Sequence, residues 1–470
     1  MRKPFLPALA LLSAACAMGP TYHRPPVDLP PALGRSADSV VAPESPRNAF
    51  WDQLGDTTLT RLVAEGLASG YDVQVAEARV RGARAARTLS ALDLAPTVTV
   101  SGGYTRQRLA AATFPGFGSS FPDQDLWDAG FDASWEIDVF GGLRRNLQGQ
   151  TALVASSRED LRDVRVSLAA ELARSYFELR GAQGQLAVAQ RNADNQRRTL
   201  EVVQQRLDAG RGTAFDAERA RAQLGLTLAA IPSLEAQIAA AQYRIGTLVG
   251  RTPERVATEL AEARDLPPLP PTVPVTSPDS LIRQRPDVVS AERQLAAQTA
   301  FVGAAKADYL PRLSVEGTAG FTSADLSSFA GTGTSRYAVG PVISWPALNL
   351  GRVKARVDAS RALEAEAKAR YQQTVLRALE EAEASLVSYA KARTRLNRLE
   401  DAAGASERAA DYARLRFEGG VADFLEVLDA ERTTLDAENQ LATGRTDATT
   451  AYVAVYKALG GTWPVGQGAQ

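Results

Sequence analysis

The chain has 470 residues, and its 53 Lys and Arg against 54 Asp and Glu leave a formal charge of -1. No long single-sign run occurs, which excludes the electrostatic footprint of a nucleic-acid binder. Cys16 is the only cysteine and His23 the only histidine, which excludes disulfides, thiolate or histidine metal clusters, and every Ser-His or Cys-His catalytic pair.

Residues 1–15 read as an export signal: Arg2-Lys3, an apolar run from Phe5 to Leu12, then Ser13-Ala14-Ala15. The run is too short to cross a bilayer as a helix, and no later stretch is expected to reach the roughly 20 apolar residues that a membrane helix needs. Membrane contact is therefore expected from strands or from a lipid. Cys16 stands where a lipobox would place its lipidated cysteine, which makes residues 16–55 a lipid-anchored extended segment. Leu12 lies four residues before Cys16, where a lipobox prefers its aliphatic residue three before, and Ser13-Ala14-Ala15 also satisfies plain cleavage. Lipidation and simple cleavage are both open readings of Cys16.

Residues 56–250 and 278–461 are two copies of one pattern: a short helix, two strands and a long helical hairpin. Shifted by 215 positions, Asp72, Val73, Ala76, Glu77, Ala85 and Pro96 fall on Asp287, Val288, Ala291, Glu292, Ala300 and Pro311. Further along the shift is 210, where Ser134-Trp135 falls on Ser344-Trp345 and Arg206-Leu207-Asp208 on Arg416-Phe417-Glu418. A period this long is a duplicated half-domain and not a solenoid repeat. Between the copies, residues 251–277 form a Pro-rich crossing segment, and residues 462–470 are a tail. Ser277-Pro278-Asp279 reads as a cap with Pro at the first helical position.

The strands are expected at about 96–140 and 312–346. Phe131, Ala133, Trp135, Ile137 and Val139 alternate with Asp132, Ser134, Glu136 and Asp138, giving one apolar face and one with carboxylates. A soluble four-stranded sheet would keep its charged face in water. A membrane sheet would turn the apolar face to lipid, but four strands cannot enclose a channel, since the smallest membrane barrels have about eight. A membrane barrel here would have to be shared among subunits.

The hairpins are expected at about 143–249 and 350–459. From Leu143 to Ala209 there is no proline, so one continuous helix would span on the order of 100 Å. Leu161, Val164, Leu168, Leu172, Tyr176 and Leu179 keep coiled-coil spacing, as do Val375, Leu379, Leu386 and Tyr389 in the second copy. An antiparallel coiled-coil spacer and the staves of a tube both fit this pattern. The acids lie along helix faces and do not converge as a carboxylate enzyme would require, so neither catalysis nor a cofactor is expected.

Three motifs carry a family resemblance: Cys16-Ala17-Met18-Gly19-Pro20-Thr21-Tyr22 with Arg24-Pro25; Leu281-Ile282-Arg283-Gln284-Arg285-Pro286-Asp287-Val288; and Gly419-Gly420-Val421-Ala422-Asp423-Phe424-Leu425 with Leu428-Asp429-Ala430-Glu431-Arg432. With them the chain resembles the outer-membrane channel of tripartite efflux systems, the TolC-like family, in its lipoprotein branch serving resistance-nodulation-division (RND) pumps. The resemblance implies a mainly α fold with a small β part, and a homotrimer whose twelve strands make one outer-membrane barrel on a periplasmic helical barrel. It also implies a periplasmic adaptor, an inner-membrane RND pump, and an iris-like gate at the helical tips. The matching tips hold Tyr412, Arg416 and Asp423, with Arg206 and Asp208 in the first copy. Relatives in this branch often carry an acid two positions after the last tip glycine. Here that site is Ala422 and Asp423 follows, a displacement of about 100° on a helix. The other reading of each tip charge is a solvated coiled-coil surface, and the other reading of the whole chain is a lipid-anchored periplasmic tether. The Arg283 to Asp287 motif is read as structural, its arginines pairing with carboxylates at a helix junction.

Overall fold

The computed structural model describes residues 18–33, 40–42, 54–110, 121–275 and 277–461. Cys16 lies outside them. In chain order the elements are β1 (Val41–Ala42), α1 (Thr57–Ser69), α2 (Tyr71–Leu92), β2 (Thr97–Gln107), β3 (Gln124–Ile137), α3 (Gly142–Asp208) and α4 (Ala214–Val249). Then come α5 (Pro253–Glu259), β4 (Val273–Pro274), α6 (Pro278–Gln284), α7 (Pro286–Ala307), β5 (Arg312–Ser323), β6 (Ser335–Ser344), α8 (Leu350–Glu418) and α9 (Phe424–Ala458). The chain divides into two compact units.

The first unit comprises Met1–Pro26, Arg79–Arg158 and Ser290–Gln372. It holds an antiparallel sheet in the order β2-β3-β5-β6. The register pairs Val100 with Phe131, Phe131 with Ala319 and Ala319 with Tyr337, so these side chains share one face. Thr99, Asp132 and Thr318 are paired across the other face. The apolar face is exposed, with Tyr337 at 86% and Val339 at 74% of full accessibility. Polar contacts tie the opposite face: Ser101 donates to Asp132 at 2.9 Å, and Arg336 and Thr322 donate to Asp128 at 2.8 and 2.7 Å. Among the described residues, β2 and β6 each pair with one strand only.

The apolar alternation read through Val139 stops at Ile137. The Val139 amide turns back to the Ile137 carbonyl, and Gly141 takes a φ of +79°. Asp138 is therefore not a strand residue. Its carboxylate accepts from the Leu143 and Arg144 amides, serving the first turn of α3.

In the same unit, residues 18–24 lie as a strap against α7 and the start of α3. Met18 donates to the Phe140 carbonyl, and Arg145 Nε donates to the Met18 carbonyl at 3.0 Å. A Cβ on Gly19 would overlap the Cα of Gly303, so only glycine allows this approach. Tyr22 donates to Glu292, and Arg24 bonds the Tyr371 hydroxyl and pairs with Glu292 at 3.4 Å.

The second unit comprises Val27–Ala78, Glu159–Val289 and Gln373–Gln470. Its core gathers Leu59 and Leu62 from α1, Leu172, Tyr176 and Leu179 from α3, Ile245 from α4, Tyr389 from α8, and Tyr452 and Tyr456 from α9. Asp56 caps α1 through the Thr58 and Leu59 amides and also accepts from the Tyr176 hydroxyl at 2.7 Å. The Pro-rich segment joins this core where Tyr389 donates to the Pro270 carbonyl at 2.8 Å and where β4 pairs in parallel with β1. Ser277 caps α6, with Pro278 at its start, as its sequence indicates.

One expectation fails in α4. An 18-residue window of this helix has a mean hydropathy of 1.4, so by length and composition it could cross a membrane. The cause is an Ala-, Leu- and Ile-rich run around Ala229, Ala230 and Ile231, in a helix that continues through Pro232. Only 11% of that window is buried within the protomer, so the surface it presents is apolar.

Candidate functional site at the hairpin reversals

The two reversals of the second unit are built alike. After α3, the Arg211 amide returns to the Arg206 carbonyl at 2.8 Å, Gly210 takes φ +70°, and Thr213 caps α4 through the Asp216 amide. After α8, the Val421 amide returns to the Arg416 carbonyl at 2.9 Å, Gly420 takes φ +73°, and Asp423 caps α9 through the Glu426 amide. A 6→1 bond closed by a left-handed glycine, then a capping side chain, satisfies end groups of both helices within a short reversal. A small apolar cluster of Val203, Ala217, Ala220, Phe417, Phe424 and Val427 lies beneath both turns.

Each sequence-predicted tip residue has a definite partner or place. Arg206 stacks its guanidinium 3.8 Å from the centroid of the Phe417 ring and donates to the Phe417 carbonyl at 3.1 Å. Asp208 accepts from Gln204 at 3.2 Å on its own helix. Arg416 pairs with Glu426 at 2.9 Å across the second turn. Tyr412 is exposed and, with Arg416, Glu426 and Thr433, lines an open groove of about 470 Å³ along α8 and α9. The structure thus joins Arg206 to the second hairpin through an aromatic ring, and gives Asp423 a capping bond within its own turn.

Sequence reasoning missed the seam that runs from these turns along α3. Gln185 donates to Thr443 at 3.1 Å, Asn192 to Glu438 at 2.6 Å and Thr199 to Glu431 at 2.9 Å, and Arg206 reaches Phe417. The four α3 residues are spaced seven apart, one heptad each, so a single stripe of α3 ties the first hairpin to the second with polar contacts. The spacing was visible in the sequence. The partners, more than 200 residues away, were not.

Glu431 on this seam and Gln196 on α3 are buried with unmet polar atoms. Glu431 is 6% accessible and Gln196 4%. Glu431 Oε2 and both amide atoms of Gln196 have no protein partner. Burial raises the Glu431 carboxyl above its ordinary range, outweighing the Thr199 hydroxyl and the Arg414 guanidinium that lower it. Among the described residues, no group of three or more His, Cys, Asp or Glu side chains is arranged to hold a metal ion.

The Arg283 to Asp287 motif packs elsewhere in this unit, as a junction. Buried Arg285 pairs with Asp287 and Glu381 at 2.7 Å each and donates to the Ala458 carbonyl at 2.9 Å, while Arg283 pairs with Asp279 on the surface.

Comparison with known proteins agrees with this architecture. The chain is 28% identical over 475 residues to the outer membrane protein OprJ of Pseudomonas aeruginosa, covering 99% of this chain and 98% of that one. It is 29% identical over 468 residues to the pyoverdine export outer membrane protein OpmQ of the same species, covering 97% of each. Among solved structures, the outer-membrane channel OprN superposes with a TM-score of 0.89 at 38% identity, covering 95% of this chain and all of that one. The profile of the family described as outer membrane efflux protein matches residues 62–251 and 277–461, the two copies of the duplication. The chain belongs to the outer membrane efflux protein family, with the TolC-like fold.

Proposed function

We propose that the protein is the outer-membrane exit duct of a tripartite efflux system. It passively conducts small molecules that an inner-membrane RND pump delivers through a periplasmic adaptor. The observation that carries this reading is the sheet: one exposed apolar face, one polar face, and a single pairing partner for each of β2 and β6. Such a sheet is stable in a membrane only when its edges are closed, because unpaired backbone groups in hydrocarbon cost several kcal/mol each. Three copies close it as a barrel of twelve strands, with apolar side chains to lipid and Asp128, Asp132 and Arg336 to the lumen. The apolar surface of α4 gives each copy a face for its neighbour.

The signal and Cys16 direct the chain to the outer membrane, where a lipid on Cys16 adds a second anchor. The strap from Met18 to Arg24 then fixes the residues that follow this anchor to α3 and α7. In this reading the gate lies at the reversals that carry Arg206, Asp208, Tyr412, Arg416 and Asp423, and the adaptor docks on them. A coiled-coil tether would have no use for a two-faced sheet.

The test is direct. Extracted in mild detergent, the mature protein is expected to run as a trimer and to conduct ions in planar bilayers once its tips are loosened. A monodisperse monomer that stays soluble without detergent would overturn the reading. Radiolabelled or clickable palmitate should mark the wild type and not Cys16→Ser; unlabelled wild type with a free thiol would refute lipidation.

A further inference from the structure

We propose that the seam between α3 and α9 is a proton-operated latch, in which Glu431 holds the two hairpins of a protomer together while it carries a proton and favours their separation once ionised. The proposal rests on the duct reading above, and it assigns that duct a means of regulation set back from its tip charges.

The geometry isolates Glu431. It sits on a seam whose next ties away from the turns are polar, Gln185 to Thr443 and Asn192 to Glu438, whereas one turn towards the reversals Val203 and Val427 pack in the apolar cluster. Polar residues at such positions fix the register of two helices at a cost in stability, so a seam built of them is easier to part than one of leucines. From α3, Glu431 receives one hydroxyl, that of Thr199. From α8 it faces Arg414 at 3.7 Å, a cation shared with Asp411 at 3.5 Å. The second carboxylate oxygen has no protein partner and is nearly shut off from solvent. Gln196, three residues before Thr199 on α3, is buried with both amide atoms unmatched.

An ionised carboxylate so placed is under-compensated, which moves its balance towards the protonated form relative to a hydrated carboxyl. The sign of the linkage follows. The packed seam raises the carboxyl above the value it has when hydrated, so the packed form binds the proton more tightly and acid stabilises it. As pH rises through the buried value, this stabilisation is lost, and hydration of Glu431 and Gln196 favours separation of the hairpins.

The experiment measures open probability of the reconstituted trimer in planar bilayers from about pH 5 to about pH 8, above the ordinary carboxylate range. Wild type is expected to open more as pH rises, by about threefold or more. Glu431→Gln keeps the shape and the Thr199 contact without the charge, and is expected to hold the low, acid-like open probability at every pH. Glu400→Gln, which removes an exposed carboxylate paired with Arg445, should keep the wild-type response. In a second readout, paired Gln185→Cys and Thr443→Cys should cross-link more completely at about pH 8 with Glu431→Gln than with Glu431 retained. Opening by acid, a flat wild-type profile, or a pH response unchanged in Glu431→Gln each overturns the latch and leaves the duct intact. A trimer that conducts at no pH even with Arg416→Ala would instead defeat the duct reading itself.

Discussion

Trp135 donates its indole N–H to the carbonyl of Leu94 at 2.9 Å, and the second copy repeats the bond from Trp345 to Tyr309 at 3.0 Å. In both copies the bond ties a residue at one end of the sheet to the chain just after the preceding helix, α2 or α7. Both rings are partly exposed on or beside the apolar face, where a tryptophan with an apolar body and one polar tip suits the edge of a membrane. Trp135→Phe and Trp345→Phe keep most of the ring and lose the bond. Each is expected to destabilise the trimer by about 1 kcal/mol, read as a lowered midpoint of heat dissociation. A midpoint unchanged in the double variant would show that the bonds contribute nothing.

The duplication, the two-faced strands and the long hairpins were legible because each is a periodic signal: about 210 residues for the copies, two for the strands, seven for the helices. What the sequence did not disclose was pairing at a distance. Asp138 read as one more carboxylate on the strand's polar face, and only the turn at Gly141 shows that it serves α3. The Asp423-x-x-Glu426 and Thr213-x-x-Asp216 spacings are capping signals in the sequence itself, and Asp423, read there as a tip charge, serves such a cap. Glu431 was part of a recognised motif without a role, because its burial depends on α3, whose partner residue Thr199 lies 232 positions away.

Arg285 is expected to be the least replaceable charge of the second unit. It is 7% accessible at its side chain, with Asp287 and Glu381 both at 2.7 Å. Arg285→Ala leaves the Ala458 carbonyl and two partly solvated carboxylates without their donor, at a cost of about 1 to 3 kcal/mol. Arg285→Lys restores the charge and not the fork, so it should recover only part of that loss. The measurement is the amount of heat-resistant trimer in outer-membrane fractions. Wild-type amounts of the alanine variant would show that the junction is held by apolar packing.

The strap offers a separate test. A Cβ on Gly303 would come within 2.8 Å of the Met18 carbonyl and 3.1 Å of the Arg145 side chain, and one on Gly19 would overlap Gly303 itself. Gly303→Ala and Gly19→Ala should therefore lift residues 18–24 while leaving the sheet intact. Limited proteolysis in detergent is expected to cut near Tyr22 and Arg24 in these variants and to spare the wild type. Equal protection in all three would mean that the strap is held by Arg24 and Glu292 alone.

At the reversals, capping and gating predict different outcomes for Asp423. Its carboxylate accepts from the Glu426 amide, a bond worth about 1 kcal/mol that asparagine also makes and alanine does not. Asp423→Asn thus removes charge and keeps the cap, whereas Asp423→Ala removes both. If the charge locks the tips, both variants should raise single-channel conductance and admit large antibiotics such as vancomycin. If the cap is what matters, only the alanine variant should leak, through a frayed first turn of α9. Arg206→Ala and Arg416→Ala test the remaining contacts. Loss of the Arg206 stack on Phe417 should cost about 0.5 to 2 kcal/mol and loosen the two hairpins. Loss of the solvated Arg416 to Glu426 pair should cost about 1 kcal/mol or less. Arg206→Ala is therefore expected to leak more than Arg416→Ala, and the two together more than either alone. The reverse order would place the lock in a contact of Arg416 with a neighbouring subunit, because within the protomer its pair is the weaker of the two.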